Sequence, residues 1–128
     1  MSTDSSRNFK KTVEDTRSAS TALHLDDDDA DIFTVKNIKK ISGIIRALNS
    51  PLRIEIIMAL NQRPHHVHEL VKLVNSSQPL VSQHLKVLKS SGIVEAARQG
   101  RQMTYSLSQP LALDIFRIAL QAANTTTE

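Results

Sequence analysis

The sequence predicts a small, mainly α-helical domain that carries one β-hairpin, which is an α+β fold. Through most of the chain, apolar residues recur at three- and four-residue steps, as they do in amphipathic helices. Two of the helical segments are short, and only three polar residues separate them. After Gly92 the spacing changes to the short apolar runs of β-strands. With 128 residues, the chain has room for one such domain.

The two ends of the chain differ in composition from the middle. Residues 1 to 30 mix Ser, Thr and charged side chains, and positions 26 to 29 are four consecutive aspartates. Such a segment buries too little apolar surface to offset the entropy of ordering it. We therefore expect a flexible N-terminal arm over residues 1–30, a folded domain over residues 31–123 and a flexible tail over residues 124–128.

The folded part is expected to begin with two helices. From residue 31 to about residue 49 the apolar side chains fall on one helical stripe. Ser50 and Pro51 then have the order of an N-cap and a first-turn proline, so they open a second helix, which Pro64 ends. This second helix is apolar on most of its sides, and we expect it to lie buried at the centre of the domain.

A helix-turn-helix follows. Its first helix is short and breaks at residues 75 to 77, which are Asn, Ser and Ser. Its second helix runs from Gln78 to about Ser91, and Gly92 takes the place of a C-terminal stop. Two short helices joined by a short polar turn form this motif.

A hairpin with a basic tip comes next. Residues 93–97 and 103–107 predict two strands, and the five residues between them include Arg98, Gly100 and Arg101. Pro110 then opens a final apolar helix. The order of helix, turn, helix and basic hairpin is that of a winged helix-turn-helix.

Several classes of protein are excluded or disfavoured. The chain has no cysteine, which excludes disulfides, thiolate metal ligands and cysteine nucleophiles. No apolar run is long enough to span a bilayer, and the N-terminus lacks the apolar core of a secretory signal, so we expect a cytoplasmic protein without membrane contact. No catalytic constellation or glycine-rich phosphate loop is present, so we do not expect an enzyme.

The charge distribution favours a polyanionic partner. The whole chain has 16 Lys and Arg against 13 Asp and Glu, but residues 31 to 128 contain twelve basic and six acidic side chains. The second helix of the motif is predicted to enter the major groove of double-stranded DNA. Four polar residues near its start are predicted to contact base edges: Ser77, Gln78, Ser82 and Gln83. Four basic residues are predicted to contact phosphates or the minor groove: Lys86, Lys89, Arg98 and Arg101.

Two other interpretations of these residues compete with DNA binding. A helix face of Ser, Gln and Lys is also what any solvated helix needs. A winged helix that docks another protein is the alternative from a different functional class. Aromatic residues, which anchor many protein interfaces, make up only 3% of the chain, and this favours DNA.

In this order, the motifs resemble those of the ArsR/SmtB-type metalloregulatory repressors of bacteria. The resemblance covers about residues 31 to 122, and Ser82-Gln83-His84-Leu85 is a specific part of it. The other segments that carry it are Leu48-Asn49-Ser50-Pro51-Leu52-Arg53-Ile54, His68-Glu69-Leu70, Gln78-Pro79-Leu80-Val81, Lys86-Val87-Leu88, Gly92-Ile93-Val94, Arg98-Gln99-Gly100-Arg101 and Tyr105-Ser106-Leu107.

The resemblance implies a homodimer that pairs through its first and last helices. The two recognition helices would enter successive major grooves of an inverted-repeat operator, and the protein would act as a transcriptional repressor. Family members typically release DNA when an inducer binds, and the inducer is often a metal ion. A small monomer with one recognition helix agrees with this, because two-fold symmetry is the usual way to present two.

This sequence lacks the ligands of the metal sites that members of the family carry. Zinc-sensing members carry four His, Asp or Glu ligands on the last helix, and the corresponding places hold Gln109, Leu111, Ala122 and Thr125. The cysteines of the arsenic- and cadmium-type sites are also missing.

A different nitrogen and oxygen site is the remaining metal hypothesis. His66 and Glu69 lie three residues apart on one predicted helix face, and His24 and Asp26 of the arm are candidates to complete the site. Zinc, nickel or cobalt would suit such ligands. The alternatives are that these side chains are exposed loop and tail residues, and that the repressor has a non-metal inducer or none.

Overall fold

The structure is a computed structural model, and it describes residues 26–126. The chain divides into two compact units, Met1–Ile44 and Ile45–Glu128. No helix within the described residues is both long and apolar enough to cross a membrane.

The described part of the first unit begins with a short helix, α1 (Asp27–Ile32). Asp26 is its N-cap, and the Asp26 carboxylate accepts a hydrogen bond of 2.9 Å from the backbone N–H of Asp29. The aspartates at 27, 28 and 29 occupy the first turn, where the positive end of the helix dipole favours carboxylates. Residues 27–30, which were expected to belong to the arm, are therefore helical.

A second helix, α2 (Val35–Leu48), follows after a break at residues 33 and 34. Thr34 begins it, since the Thr34 hydroxyl accepts a hydrogen bond of 3.2 Å from the Asn37 backbone N–H. The Asn37 side chain donates to the Ile32 carbonyl at 2.8 Å and so bonds to the end of α1. The sequence predicted a single helix over residues 31 to 49, but the structure has two. The apolar residues keep a helical spacing across the break, so the spacing alone did not reveal the capping bonds of Thr34 and Asn37.

The second unit is organised around α3 (Pro51–Gln62). Ser50 caps it by accepting a hydrogen bond of 3.2 Å from the Arg53 backbone N–H, and Pro51 stands in the first turn, as predicted. Ile56 and Ile57 are completely buried. The expectation of a buried central helix is confirmed.

The helix-turn-helix consists of α4 (Val67–Val74) and α5 (Gln78–Ser90). Asn75 forms the bend between them with a left-handed backbone, φ 52°, and its short polar side chain tolerates this conformation. At the end of α5, Gly92 has φ +79°, its N–H bonds to the Lys89 carbonyl and the N–H of Ile93 bonds to the Leu88 carbonyl. This is the glycine-terminated helix end that the sequence predicted.

The sheet has three strands, where the sequence predicted a two-stranded hairpin. β1 (His65–His66), β2 (Val94–Gln99) and β3 (Gln102–Leu107) are antiparallel in the order β1-β3-β2. His65 pairs with Tyr105 in the added strand. Two residues are too few to show a strand period, so β1 left no signal in the sequence.

The core of the second unit collects apolar residues from its helices and from β2. Its fully buried large side chains are Ile56, Ile57, Leu70, Val81, Leu85, Leu88 and Ile93. The last helix, α6 (Leu111–Thr126), contributes little to this core, because Ala112 is the one fully buried residue among positions 111–126. Its helical bounds include residues 124–126, which the expected flexible tail had contained.

Candidate nucleic-acid interface

The start of α5 is capped by local residues and is exposed to solvent. Ser77 is the N-cap, and its hydroxyl accepts a hydrogen bond of 3.4 Å from the Leu80 backbone N–H. Pro79 stands in the first turn, where the lack of an N–H costs nothing. The first turn is exposed to solvent from Ser77 through Leu80.

The two sides of α5 differ in chemistry. Its apolar side is completely buried at Val81, Leu85 and Leu88. The predicted contact residues on the other side are all exposed: Ser77, Gln78, Ser82, Gln83, Lys86 and Lys89. Positions 78, 82, 86 and 89 follow one another at steps of four, four and three, so they form one stripe along the helix. The stripe offers an amide and a hydroxyl at its beginning and two ammonium groups toward its end.

The basic hairpin has a tighter turn than the sequence indicated. Strands β2 and β3 extend until Gln99 pairs with Gln102, which leaves Gly100 and Arg101 as the two turn residues. Gly100 has φ +64°, whereas Arg101 does not have a positive φ, as in a type II′ turn. Arg98 therefore lies in β2 and not in the linker, and both arginines are exposed.

A series of hydrogen-bonded side chains joins this hairpin to the helix-turn-helix. The Thr104 hydroxyl donates to Gln99 Oε1 at 2.8 Å and lies 3.1 Å from His66 Nδ1. Since the single hydroxyl proton is used toward Gln99, Nδ1 of His66 is the donor to the Thr104 oxygen. The N-cap position of α4 is thereby bonded to β3.

The proposed metal ligands on α4 are engaged with protein donors. Glu69 Oε1 accepts the His66 backbone N–H at 2.9 Å, and Oε2 accepts from Arg63 Nη2 at 3.0 Å. The Arg63 hydrogen bond, followed by that of the His66 amide, lowers the pKa of Glu69 to about 2. These bonds explain the carboxylate as a helix cap and ion-pair partner.

The candidate metal ligands within the described residues do not come together as a metal site. Among residues 26–126, no group of three His, Asp or Glu side chains is placed to hold a metal ion. Asp26 is used as the cap of α1, and His24 lies outside the described residues. The described donors therefore do not fit a metal site in this conformation.

His65 is a buried residue of the added strand β1. It is 4% exposed in β1, with Nε2 3.2 Å from the Ala59 carbonyl oxygen. Its Nδ1 makes no hydrogen bond and lies 3.5 Å from Glu69 Oε1. The burial follows from the strand pairing with Tyr105, which the sequence did not reveal.

Sequence reasoning also missed the contact between Arg53 and His84. Arg53 Nη1 donates to His84 Nδ1 at 2.9 Å, and both side chains are half-buried. Arg53 Nε donates to the Ala47 carbonyl at 2.6 Å, and Nη2 donates to the Arg46 carbonyl at 3.2 Å. Burial, and then the charge of Arg53, lower the pKa of His84. Position 84 comes three residues after the buried position 81 and four before the buried position 88, so it adjoins the buried side of the helix, which was the available signal.

The family model described as "Bacterial regulatory protein, arsR family" matches residues 50–96, which include α3, the helix-turn-helix and the start of the wing. The chain is 48% identical over 65 residues to the HTH-type transcriptional repressor SmtB of Mycobacterium tuberculosis, a match that covers 51% of this chain and 48% of that repressor. The chain thus matches about half the length of this relative.

A second relative and a solved structure extend the similarity. The chain is 31% identical over 80 residues to the Biofilm growth-associated repressor of Xylella fastidiosa, covering 62% of this chain and 70% of that protein. The fold is that of a homodimeric winged helix-turn-helix DNA-binding domain from Mycobacterium bovis, with TM-score 0.61 at 23% identity over 82% of this chain and 93% of the other. The winged helix-turn-helix fold is confirmed, and the chain belongs to the arsR family of bacterial regulatory proteins.

Proposed function

We propose that this chain is a sequence-specific DNA-binding transcriptional repressor that binds an inverted-repeat operator as a homodimer in the cytoplasm. The observation that carries the proposal is the division of α5 into a buried apolar side and an exposed polar stripe. The relatives support it, because SmtB and the Xylella protein are both named as repressors.

The order of chemistry along α5 suits a duplex. Side chains of Gln78, Ser82 and Gln83 carry donors and acceptors of a length that reaches base edges. Lys86 and Lys89 lie further along the exposed side, where ammonium groups can meet phosphates. The wing presents Arg101 in its two-residue turn and Arg98 near the end of β2, where both can contact the backbone or the minor groove.

The dimer is proposed to form through the first and last helices. Helix α6 exposes four large apolar residues, Leu111, Ile115, Ile118 and Leu120, of which the first, third and fourth are more than 60% exposed. On α2, Ile41 and Ile45 are exposed at a spacing of four residues. Apolar surface of this extent is typical of a partner interface, and a second copy gives the two recognition helices that an inverted repeat requires.

Binding to a duplex from the protein's own promoter region, followed by fluorescence anisotropy, tests the function. A duplex of the same composition in scrambled order is the control. We expect a preference of about a thousandfold or more for the promoter duplex. Four basic contacts in each of two protomers give a slope of log affinity against log salt of about −7 at most. Binding that is indifferent to both sequence and salt would contradict the proposal and favour a protein-docking winged helix.

Release of the protein from DNA by zinc, nickel or cobalt is a separate prediction. His66 Nδ1 is used toward Thr104, so Nε2 of the neutral ring has the free lone pair that a metal ligand needs. Glu69 would have to leave Arg63 and the His66 amide to join it. The same anisotropy assay, run with chelator and then with each metal, measures release. Release lost in His66→Ala supports a metal inducer, whereas binding indifferent to all three metals supports a non-metal inducer or none.

A further inference from the structure

We propose that Arg53 is a positioning residue for DNA recognition, which fixes the tautomer and orientation of His84 on the recognition helix. The inference rests on the proposed function, because the recognition helix acts only if the protein reads DNA. Arg53 itself lies on α3 and is distinct from the exposed stripe of α5.

One guanidinium, on α3, connects that helix to α5 and to the last turn of α2, which belongs to the second unit. Its Nε and Nη2 groups donate to the carbonyls of Ala47 and Arg46 in the last turn of α2, and Nη1 donates to His84 on α5. Carbonyls at a helix C-terminus lack intrahelical partners and carry the negative end of the helix dipole, so a cation there is favoured. The two carbonyl bonds fix the plane of the guanidinium, and this fixes the direction of the third bond.

The third bond determines which nitrogen of His84 carries the proton. A guanidinium has five N–H donors and no acceptor, so Nδ1 of His84 must accept. The neutral ring then carries its proton on Nε2, which is a hydrogen-bond donor. A second proton on Nδ1 would remove the acceptor and place two cations in contact.

The position of His84 on α5 lets its Nε2 proton affect DNA recognition. His84 is half-buried and follows the exposed Gln83, with the completely buried Leu85 after it. The ring therefore stands at the edge between the apolar core and the exposed stripe. Holding it in one tautomer and one orientation presents a single donor pattern beside Gln83, whereas a free ring would alternate between two patterns.

The first experiment measures the tautomer directly. The imidazole ¹⁵N chemical shifts of the full chain are recorded for the wild type and for Arg53→Met, which removes the donors but keeps a long side chain. We expect the pure Nε2–H form in the wild type and a mixture of both tautomers in the variant. A wild-type tautomer that persists in Arg53→Met overturns the proposal, whether or not the protein binds DNA.

The second experiment asks whether Arg53 acts through His84. Affinities for the promoter duplex and its scrambled control are compared for Arg53→Met, His84→Ala and the double variant. Each single change should lower the ratio of the two affinities about tenfold, the loss of one modest base contact. The double variant should lose no more than either single one, since both remove the same interaction. Independent, additive losses overturn the proposal.

Two further variants keep the result interpretable. Arg117→Met removes the same group from α6, where Arg117 bonds to Asp114 on its own helix, and its affinity ratio should equal that of the wild type. If Arg53→Met does not fold, Arg53→Lys replaces it, because one ammonium cannot reproduce the guanidinium fork, and the same non-additivity is expected. A wild type without sequence preference refutes the proposed function, whereas the tautomer measurement still tests the Arg53–His84 contact.

Discussion

Glu69 Oε2 lies 3.0 Å from Nη2 of Arg63, and the other carboxylate oxygen accepts the backbone N–H of His66. The carboxylate therefore closes the loop before α4 and caps that helix. Because these donors favour the charged form, the pKa of Glu69 is lowered from 4.5 to about 2.

This lowered pKa predicts a loss of stability in acid. The folded state holds its proton less tightly than the unfolded state, so the contribution of Glu69 is present above pH 4.5 and is lost as the pH falls toward 2. We expect Glu69→Gln to be less stable than the wild type at pH 7, with a difference that shrinks below pH 4.5 and disappears only as the pH falls through about 2. Thermal unfolding at steps of pH checks this, and Arg63→Met, which removes the main cause of the shift, should weaken the dependence. A constant difference at every pH would contradict it.

His84 predicts a second pH dependence at higher pH. Burial and the adjacent Arg53 lower its pKa below 6.5, so the unfolded state binds a proton more readily between the two values. As the pH falls from 7.5 to 5, the wild type should lose stability relative to His84→Gln, which does not titrate. Thermal unfolding of the two proteins in parallel measures the difference, and an NMR titration of the ring should give a midpoint below 6.5. A midpoint above 6.5 would refute the prediction.

These contacts show where the sequence was sufficient and where it was not. The cap Ser50 and the stop at Gly92 act on residues close by in the chain, and local sequence predicted both. Ser77 caps α5 in the same local way, but it was predicted only as a turn residue and a base contact. The pairing of His65 with Tyr105 joins positions 40 residues apart, and nothing near either residue announces it.

The candidate site divides in the same way. Exposure of the α5 stripe follows from a helical period, so its members were predictable from spacing alone. The bond from Arg53 to His84 depends on how α3 packs against α5, which spacing within either helix does not determine. Glu69 was correctly placed near His66, but its use as a cap for the His66 amide was missed because the metal hypothesis treated both residues as ligands.

Gly100 and Gly43 predict opposite results for the same substitution. An added Cβ meets no atom within 4 Å at either position, so only backbone conformation matters. Gly100 has φ +64° in the turn of the wing, and Gly100→Ala should destabilise the protein by about 1–2 kcal/mol. Gly43 lies inside α2, and Gly43→Ala should stabilise it by about 0.5–1 kcal/mol. Urea unfolding measures both, and equal signs would show that the turn is not strained.

The exposed apolar residues of α6 predict how the dimer can be broken. Ile118 is 64% exposed, and in the proposed dimer Ile118→Glu would bury an unpaired charge. We expect this variant to be a monomer by light scattering and to bind the promoter duplex with at least about 100-fold lower affinity, since one protomer has one recognition helix. Met58→Glu places the same charge on a 53% exposed residue of α3 and should remain dimeric. A dimeric Ile118→Glu would place the interface elsewhere.

The exposed side of α5 predicts two kinds of loss from two truncations. Gln83 lies near the start of the helix, and Gln83→Ala should lower affinity by about 1–3 kcal/mol for the promoter duplex and relax the preference at one base pair of each half-site. Lys89 lies in the last turn, and Lys89→Ala should weaken binding to every duplex alike and reduce the salt slope by about 2 in a dimer.

Anisotropy with single-base variants of the promoter duplex at several salt concentrations separates these effects. Both variants keep the buried side of α5, so their unfolding temperatures should match that of the wild type. If the two changes act alike on all sequences, the division between base-reading and phosphate-binding residues is wrong, and the recognition helix lies in the groove with a different part of its surface.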